Sequence, residues 1–256
     1  MTAIAIAFDC DAERFVAAAD GRCAVLANSF QIKSDIEQKI FPFQNDRVNV
    51  AYALTGMAQI GTFQIVPEIA KQVAVLSKRT FANGTEYTNK VFSNVAKVLE
   101  RAIRDGRIPD IPKRPDLPTA EHWKVFTMFV LGYFRARRFC NQGDVYYEDK
   151  GRRFRVESYP KQLVQNMLFH TGSDLIGRMV FDPRASIDPR LAAFKNDPEN
   201  PADALAVTTN FIKACCHPAA SEIDSWCQII GGHIHAAELT VGGFKWLIRP
   251  ATSCAN

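Results

Sequence analysis

No apolar run in the chain reaches the roughly 20 residues that a membrane-spanning helix needs. The longest candidate, FTMFVLGYF at 126–134, is only strand length, so no membrane partner is expected. The start has no basic n-region followed by an apolar h-region, which speaks against a secretory leader. Neither a glycine-rich phosphate loop nor a dinucleotide fingerprint occurs, and no cofactor is expected. Charge of one sign is scarce too: 31 Lys and Arg stand against 27 Asp and Glu, a net charge of +4. That balance is too mild to call for a nucleic-acid partner. The locally basic RARR (135–138) and RRFR (152–155) read as solvated strand faces. Cysteine is present in an odd number, seven, at positions 10, 23, 140, 215, 216, 227 and 254. Scattered odd thiols without a leader imply reduced side chains and a cytoplasmic location.

What is present is enough apolar residue, 47% of 256, to build a sizeable core. TAIAIAF at the start alternates Ile4, Ile6 and Phe8 with Ala3, Ala5 and Ala7, so a strand begins at once and spans Thr2 to Phe8. FVAAA (15–19) returns beside it as a second, antiparallel strand. KIFPF (39–43) and VNVAYAL (48–54) form another pair. The period then changes. Phe63, Val66, Ala70, Val73 and Leu76 fit one helix face, with Pro67 either kinking it or sitting early in it. Val91, Val95, Val98, Leu99 and Ala102 fit a second, stopped by Gly106. IPDIPKRPDLP follows as an extended surface connection. Strand-like runs come at 124–134, 144–148 and 152–157. Asn200-Pro201-Ala202-Asp203 starts a last helix with its face on Leu205, Thr208, Ile212 and Cys215. Two strands close the chain, 229–239 and 244–248. No repeat or boundary is visible, so a single domain over 1–256 is expected. The order suits two antiparallel sheets covered by helices on both outer faces, an α+β sandwich.

Two chemical alternatives are weak. Cys215, Cys216 and His217 with His233 and His235 lack ordinary zinc spacing, so no metal site is expected. Cys10 and Cys23 have no basic neighbour to activate a thiolate.

Several stretches taken in order resemble one family. TAIAIAF, AAADGR (17–22), KIFPF (39–43), VAYALTGMAQ (50–59), TGSD (171–174) and GGHIHAAELT (231–240) are similar to the motifs of proteasome β-subunits and their bacterial relative HslV. The resemblance touches most of the chain and thins at 105–125 and 182–200. It implies the four-layer αββα sandwich of the N-terminal-nucleophile hydrolases. The helical extension that precedes the first strand in proteasome α-subunits is absent, which implies the β type.

The resemblance also implies a site. Met1 is removed, and Thr2 becomes the N-terminal nucleophile of a threonine peptidase or amidase, working through an acyl-enzyme. One residue then supplies both hydroxyl and base, because a free α-amine has a pKa of about 7.7–8.0. Lys39 matches the family's lysine and Asp20 the acid that orients it. Ser173 matches a supporting serine. Ala53 supplies the oxyanion-binding N–H, and Gly21, Arg22, Ala51 and Thr55 contact substrate. The family's Asp and Ser before the GG pair are replaced by Cys227 and Ile230; Asp224, Ser225 or Ser221 are the candidate substitutes. The implied partners are a peptide or protein substrate, further copies in a ring-shaped homo-oligomer, and an ATP-dependent unfoldase. The altered pair motivates an alternative, a catalytically silent proteasome-like subunit with an assembly or binding role.

Overall fold

The computed structural model describes residues 2–26, 30–108, 111–112, 119–196 and 203–251. Most of the IPDIPKRPDLP connection, and Asn200 and Pro201 of the predicted helix start, lie outside these residues. In chain order the elements are β1 (Ile4–Asp9), β2 (Arg14–Ala19), β3 (Cys23–Leu26), β4 (Phe30–Ser34), β5 (Ile40–Gln44) and β6 (Val48–Gly56). The short β7 (Gln59–Ile60) and β8 (Phe63–Gln64) precede α1 (Ile65–Ser77) and α2 (Gly84–Arg104). Next come β9 (His122–Phe134), β10 (Arg137–Glu148), β11 (Arg153–Lys161), β12 (Met167–Thr171) and α3 (Asp174–Phe181). The chain closes with α4 (Ala204–Cys216), α5 (Pro218–Ile223), β13 (His235–Thr240) and β14 (Gly243–Ile248). Among the described residues no helix is long and apolar enough to cross a membrane. Where the sequence shows no boundary, the chain divides into two compact units, residues 1–41 with 163–256, and residues 42–162.

The first unit is a five-stranded antiparallel sheet in the order β12-β1-β2-β13-β14. The opening alternation explains how it is dressed. Ala3, Ala5 and Ala18 lie in one buried cluster with Phe211, Ile212 and Cys215 of α4, because a methyl-sized surface lets a helix come close. Ile4, Ile6 and Phe8 point to the other face and are buried as well. α4 begins at Asp203, whose carboxylate accepts from Ala206 N–H at 2.8 Å. Asp203 is therefore the cap itself. The predicted face holds at Thr208, Ile212 and Cys215, while Leu205 is only half-buried.

The second unit is a sheet in the order β11-β10-β9-β6-β5, with α2 packed on β10 and β11. Gly143 is needed there, because a Cβ would meet the Phe92 ring at 2.8 Å. α1 departs from the predicted stripe. Ile65, Ile69, Val73 and Leu76 are its buried side, and Val66 and Ala70 sit half-buried beside it. An i, i+4, i+8 row one residue earlier collects two isoleucines instead of a valine and an alanine, so it buries more apolar area. Val98 likewise yields to Phe92 and Leu99 on α2. Gly106, at φ +72°, follows the end of α2, where a side chain would be strained.

One predicted strand is shorter than expected. Residues 225–229 form a 3₁₀ turn, and the strand starts only at His235. Gly231 and Gly232, at φ +156° and +77°, separate the two. The β3–β4 ribbon and β12 carry no alternation long enough to be read as strands from the sequence.

Candidate functional site

Thr2 is buried, 3% exposed, just ahead of the β1–β2 ladder. What holds the chain there is Asp20, the residue after β2, which is fully buried. Its Oδ1 accepts Ala3 N–H at 2.8 Å, and its Oδ2 accepts Gly231 N–H at 3.0 Å and Arg22 N–H at 3.3 Å. Asp20 N–H in turn donates to Ala3 O at 3.2 Å. One carboxylate thus ties the start of β1, the turn after β2 and the glycine pair before β13. Burial pushes its pKa up to about 6, against the opposing pull of the Gly231 and Ala3 N–H groups and the Lys39 charge. Lys39 acts on Asp20 by charge through space. The carboxylate's hydrogen bonds to Ala3, Arg22 and Gly231 all come from main-chain N–H groups.

Lys39 stands at the end of an irregular segment, 35–39, which lacks ladder partners. Long-range hydrogen bonds hold that segment in place. His233 N–H donates to Asp35 O at 2.7 Å, and Glu37 N–H donates to Gly21 O at 2.8 Å. Lys39 N–H donates to the His235 Nε2 at 3.0 Å, a buried bond. His235 is 1% exposed, and burial pushes its pKa down to about 4. Its ring also bonds the His233 main chain, so Nδ1 carries the proton and Nε2 is free to accept from Lys39.

Ser173 caps α3, accepting Ile176 N–H at 3.1 Å. It follows Gly172 (φ +123°), whose added Cβ would sit 3.0 Å from Ala3 Cα and 3.4 Å from Thr2 O. The cap and the nucleophile candidate are therefore on adjoining backbone. Cys227 lies against Ser173 and Cys215, all three buried. Burial drives the Cys215 thiol well up and Cys216 up to about 12, which keeps these two as thiols. The candidate substitutes for the missing acid are engaged elsewhere. Asp224 caps the 3₁₀ turn at Trp226 N–H (3.0 Å), Ser221 donates to Pro218 O (2.8 Å), and Ser225 is exposed.

Arg22 pairs with Asp35 at 2.7 Å and donates to Gln228 O and Ile230 O, so its guanidinium clasps the 228–230 turn. Gly21 is boxed in, because a Cβ would lie 2.8 Å from both Asp35 O and His233 O. Ala51, Ala53 and Thr55 are buried on β6 in the second unit, opposite Leu131, Phe129 and Thr127 of β9. His233 Nε2 is 2.7 Å from Arg249 O. Among the described residues no group of three or more His, Cys, Asp or Glu side chains converges to hold a metal.

No family model and no curated protein sequence matches the chain. A solved structure titled Anbu (Gly-1) mutant, from Hyphomicrobium sp. strain MC1, is similar at 13% identity and a TM-score of 0.49. The match covers 92% of this chain and 80% of that one.

Asp20 and His235 titrate with opposite effects on stability. His235 is depressed from about 6.5 to about 4, so the unfolded chain takes its proton first; that contribution is present above pH 6.5 and lost as pH falls toward 4. Asp20 is raised from 3.8 to about 6, so the folded chain takes its proton first; that penalty is present above pH 6 and relieved as pH falls toward 3.8. His235→Gln removes only the first. Its stability relative to wild type is expected to climb by up to about 1.4 kcal/mol per pH unit between pH 6 and 4.5. Urea unfolding at stepped pH measures this, and parallel curves for the two proteins would refute the buried neutral imidazole.

Proposed function

We propose that the chain is a proteasome-like threonine peptidase or amidase whose nucleophile is Thr2 after removal of Met1. The observation that supports it is the fully buried Asp20, fastened to the peptide that follows Thr2 and set in the field of Lys39. In this reading the freed Thr2 amine takes the hydroxyl proton through a water. The oxygen attacks the scissile carbonyl, and the amine returns the proton to the leaving nitrogen. Water then hydrolyses the ester by the same route. Lys39 favours the deprotonated amine and the developing alkoxide. Asp20 holds the peptide that follows Thr2, and Ser173 caps α3 directly after Gly172, which lies against the Thr2–Ala3 backbone. An unconfined nucleophile of this kind cuts proteins indiscriminately, so the reading carries with it a homo-oligomer, ring-shaped and fed by an ATP-dependent unfoldase.

Intact mass and N-terminal sequencing should show Thr2 as the first residue, and that protein should turn over fluorogenic peptides. Lys39→Ala in the same background is expected to lose about 10²–10³ in kcat, the usual cost of one electrostatic stabiliser. Retained turnover in Lys39→Ala would place the chemistry elsewhere. A second reading, a silent subunit with an assembly role, is favoured by Cys227, which lies against Ser173, and by Ile230, neither of which carries a carboxylate or hydroxyl. It predicts that Met1 stays on and that no peptide is cut.

A further inference from the structure

We propose that His235 is a positioning residue for Lys39, an inference that rests on the peptidase reading of Thr2. Its neutral imidazole anchors the backbone of the segment that carries the lysine. The segment 35–39 has no strand ladder of its own. Two of the bonds that fasten it, His233 N–H to Asp35 O and Glu37 N–H to Gly21 O, join main chain to main chain. The bond at Lys39 itself ends on a side chain, the His235 Nε2, 196 residues away. A flexible four-carbon stem can be held in one place only if its root is held, and this bond holds the root.

The surroundings of His235 keep it an acceptor. It sits on β13 opposite Ala19 of β2, an uncharged neighbour one residue before Asp20. The Trp246 ring of β14 meets it edge-on at 6.0 Å between centroids. The titratable groups that act on it are Lys39, from the segment it holds, and His233, from the preceding turn. Both disfavour the imidazolium. Protonation at Nε2 would set a donor against the Lys39 N–H and a second cation beside the ammonium. The His235 bond is thus a fastening of this segment, at the lysine itself, that a proton can break. The same side chain ties β13, whose register places it beside Asp20, to the lysine, so Asp20 and Lys39 share one frame.

The experiment uses the full chain with Thr2 confirmed as its N-terminus, in three forms besides wild type: His235→Leu, His235→Gln and Thr2→Ala. Leu keeps bulk and removes the acceptor. Gln restores an acceptor that does not titrate in the acid range. The first readout is hydrogen exchange at the Lys39 amide, which does not depend on catalysis. Protection is expected to fall in His235→Leu and to return in His235→Gln. The second is peptide turnover: kcat in His235→Leu is expected to drop about 10²-fold, as a misplacement of about 1 Å does, with KM nearly unchanged. His235→Gln is expected to recover to within a few-fold of wild type. If the Lys39 amide stays protected in His235→Leu, or if kcat is unchanged while Thr2→Ala is dead, the positioning role is wrong and the peptidase reading stands. If wild type and Thr2→Ala are equally inert, the peptidase reading falls and takes this inference with it. If His235→Leu does not fold, the decision rests on His235→Gln. That variant must keep both protection and turnover, and loss of either overturns the inference.

Discussion

Thr2→Ala, in a chain that starts at residue 2, is expected to take peptide hydrolysis to background while leaving the fold in place. The hydroxyl is the reacting atom in this reading, and removing a nucleophile costs on the order of 10⁶ in kcat. The structural cost is small by comparison. Residue 2 precedes the β1–β2 ladder, and Asp20 holds the next peptide through Ala3 N–H, which the alanine variant keeps. Losing one side-chain hydrogen bond costs about 1 kcal/mol. Thr2→Ser keeps hydroxyl and amine and should retain part of the activity. The check is turnover of a fluorogenic peptide panel, with circular dichroism and urea unfolding run on the same samples. Equal rates for Thr2→Ala and wild type would remove Thr2 from the chemistry.

Asp20→Asn should be the most damaging single substitution for the first unit. The carboxylate accepts from Ala3, Gly231 and Arg22 N–H groups with no exposure to water. An amide in its place offers one oxygen, and its NH₂ must face at least one of those donors. The charge that offsets Lys39 goes as well. Leaving a buried donor unsatisfied typically costs about 1–3 kcal/mol, and here more than one is at stake. Asp20→Asn is therefore expected to unfold at a much lower urea midpoint. In whatever fraction stays folded, loosening the Ala3 peptide should displace Thr2 enough to cost about 10² in kcat. A loss below about 1 kcal/mol would mean that the three N–H groups find other acceptors and that Asp20 is not the clasp described above.

The α+β composition and most of the strands and helices were legible in the sequence, because period 2 and period 3.6 are local signals. TAIAIAF could be read as a strand, and its alanines turn out to be the helix-facing side. Ser173 was read only as a supporting serine, and its cap on α3 emerged with the structure. The α1 stripe lay one residue off, because several apolar positions compete there and only packing selects among them. The stretch before His235 was read as strand although Gly231 and Gly232 adopt positive φ, a backbone state that residue type permits but does not dictate. The pairing of Thr2, Asp20 and Lys39 as candidates came from motif order alone.

How those three are held was decided by tertiary structure. Asp20 reaches Gly231 across 211 residues, and Lys39 reaches His235 across 196. No local pattern encodes a bond of that span, so His235 could be weighed from the sequence only as a ligand or a core residue. Its burial pushes its pKa down to about 4, and that burial exists only once β13 has paired with β2. The Asp20 carboxylate likewise acquires its raised pKa from desolvation, which depends on what the whole chain packs around it. The chain alone determined which residue types stand at which strand ends. Folding determined which N–H each of them meets, because hydrogen-bond partners far apart in sequence are chosen by strand register and by the exclusion of water.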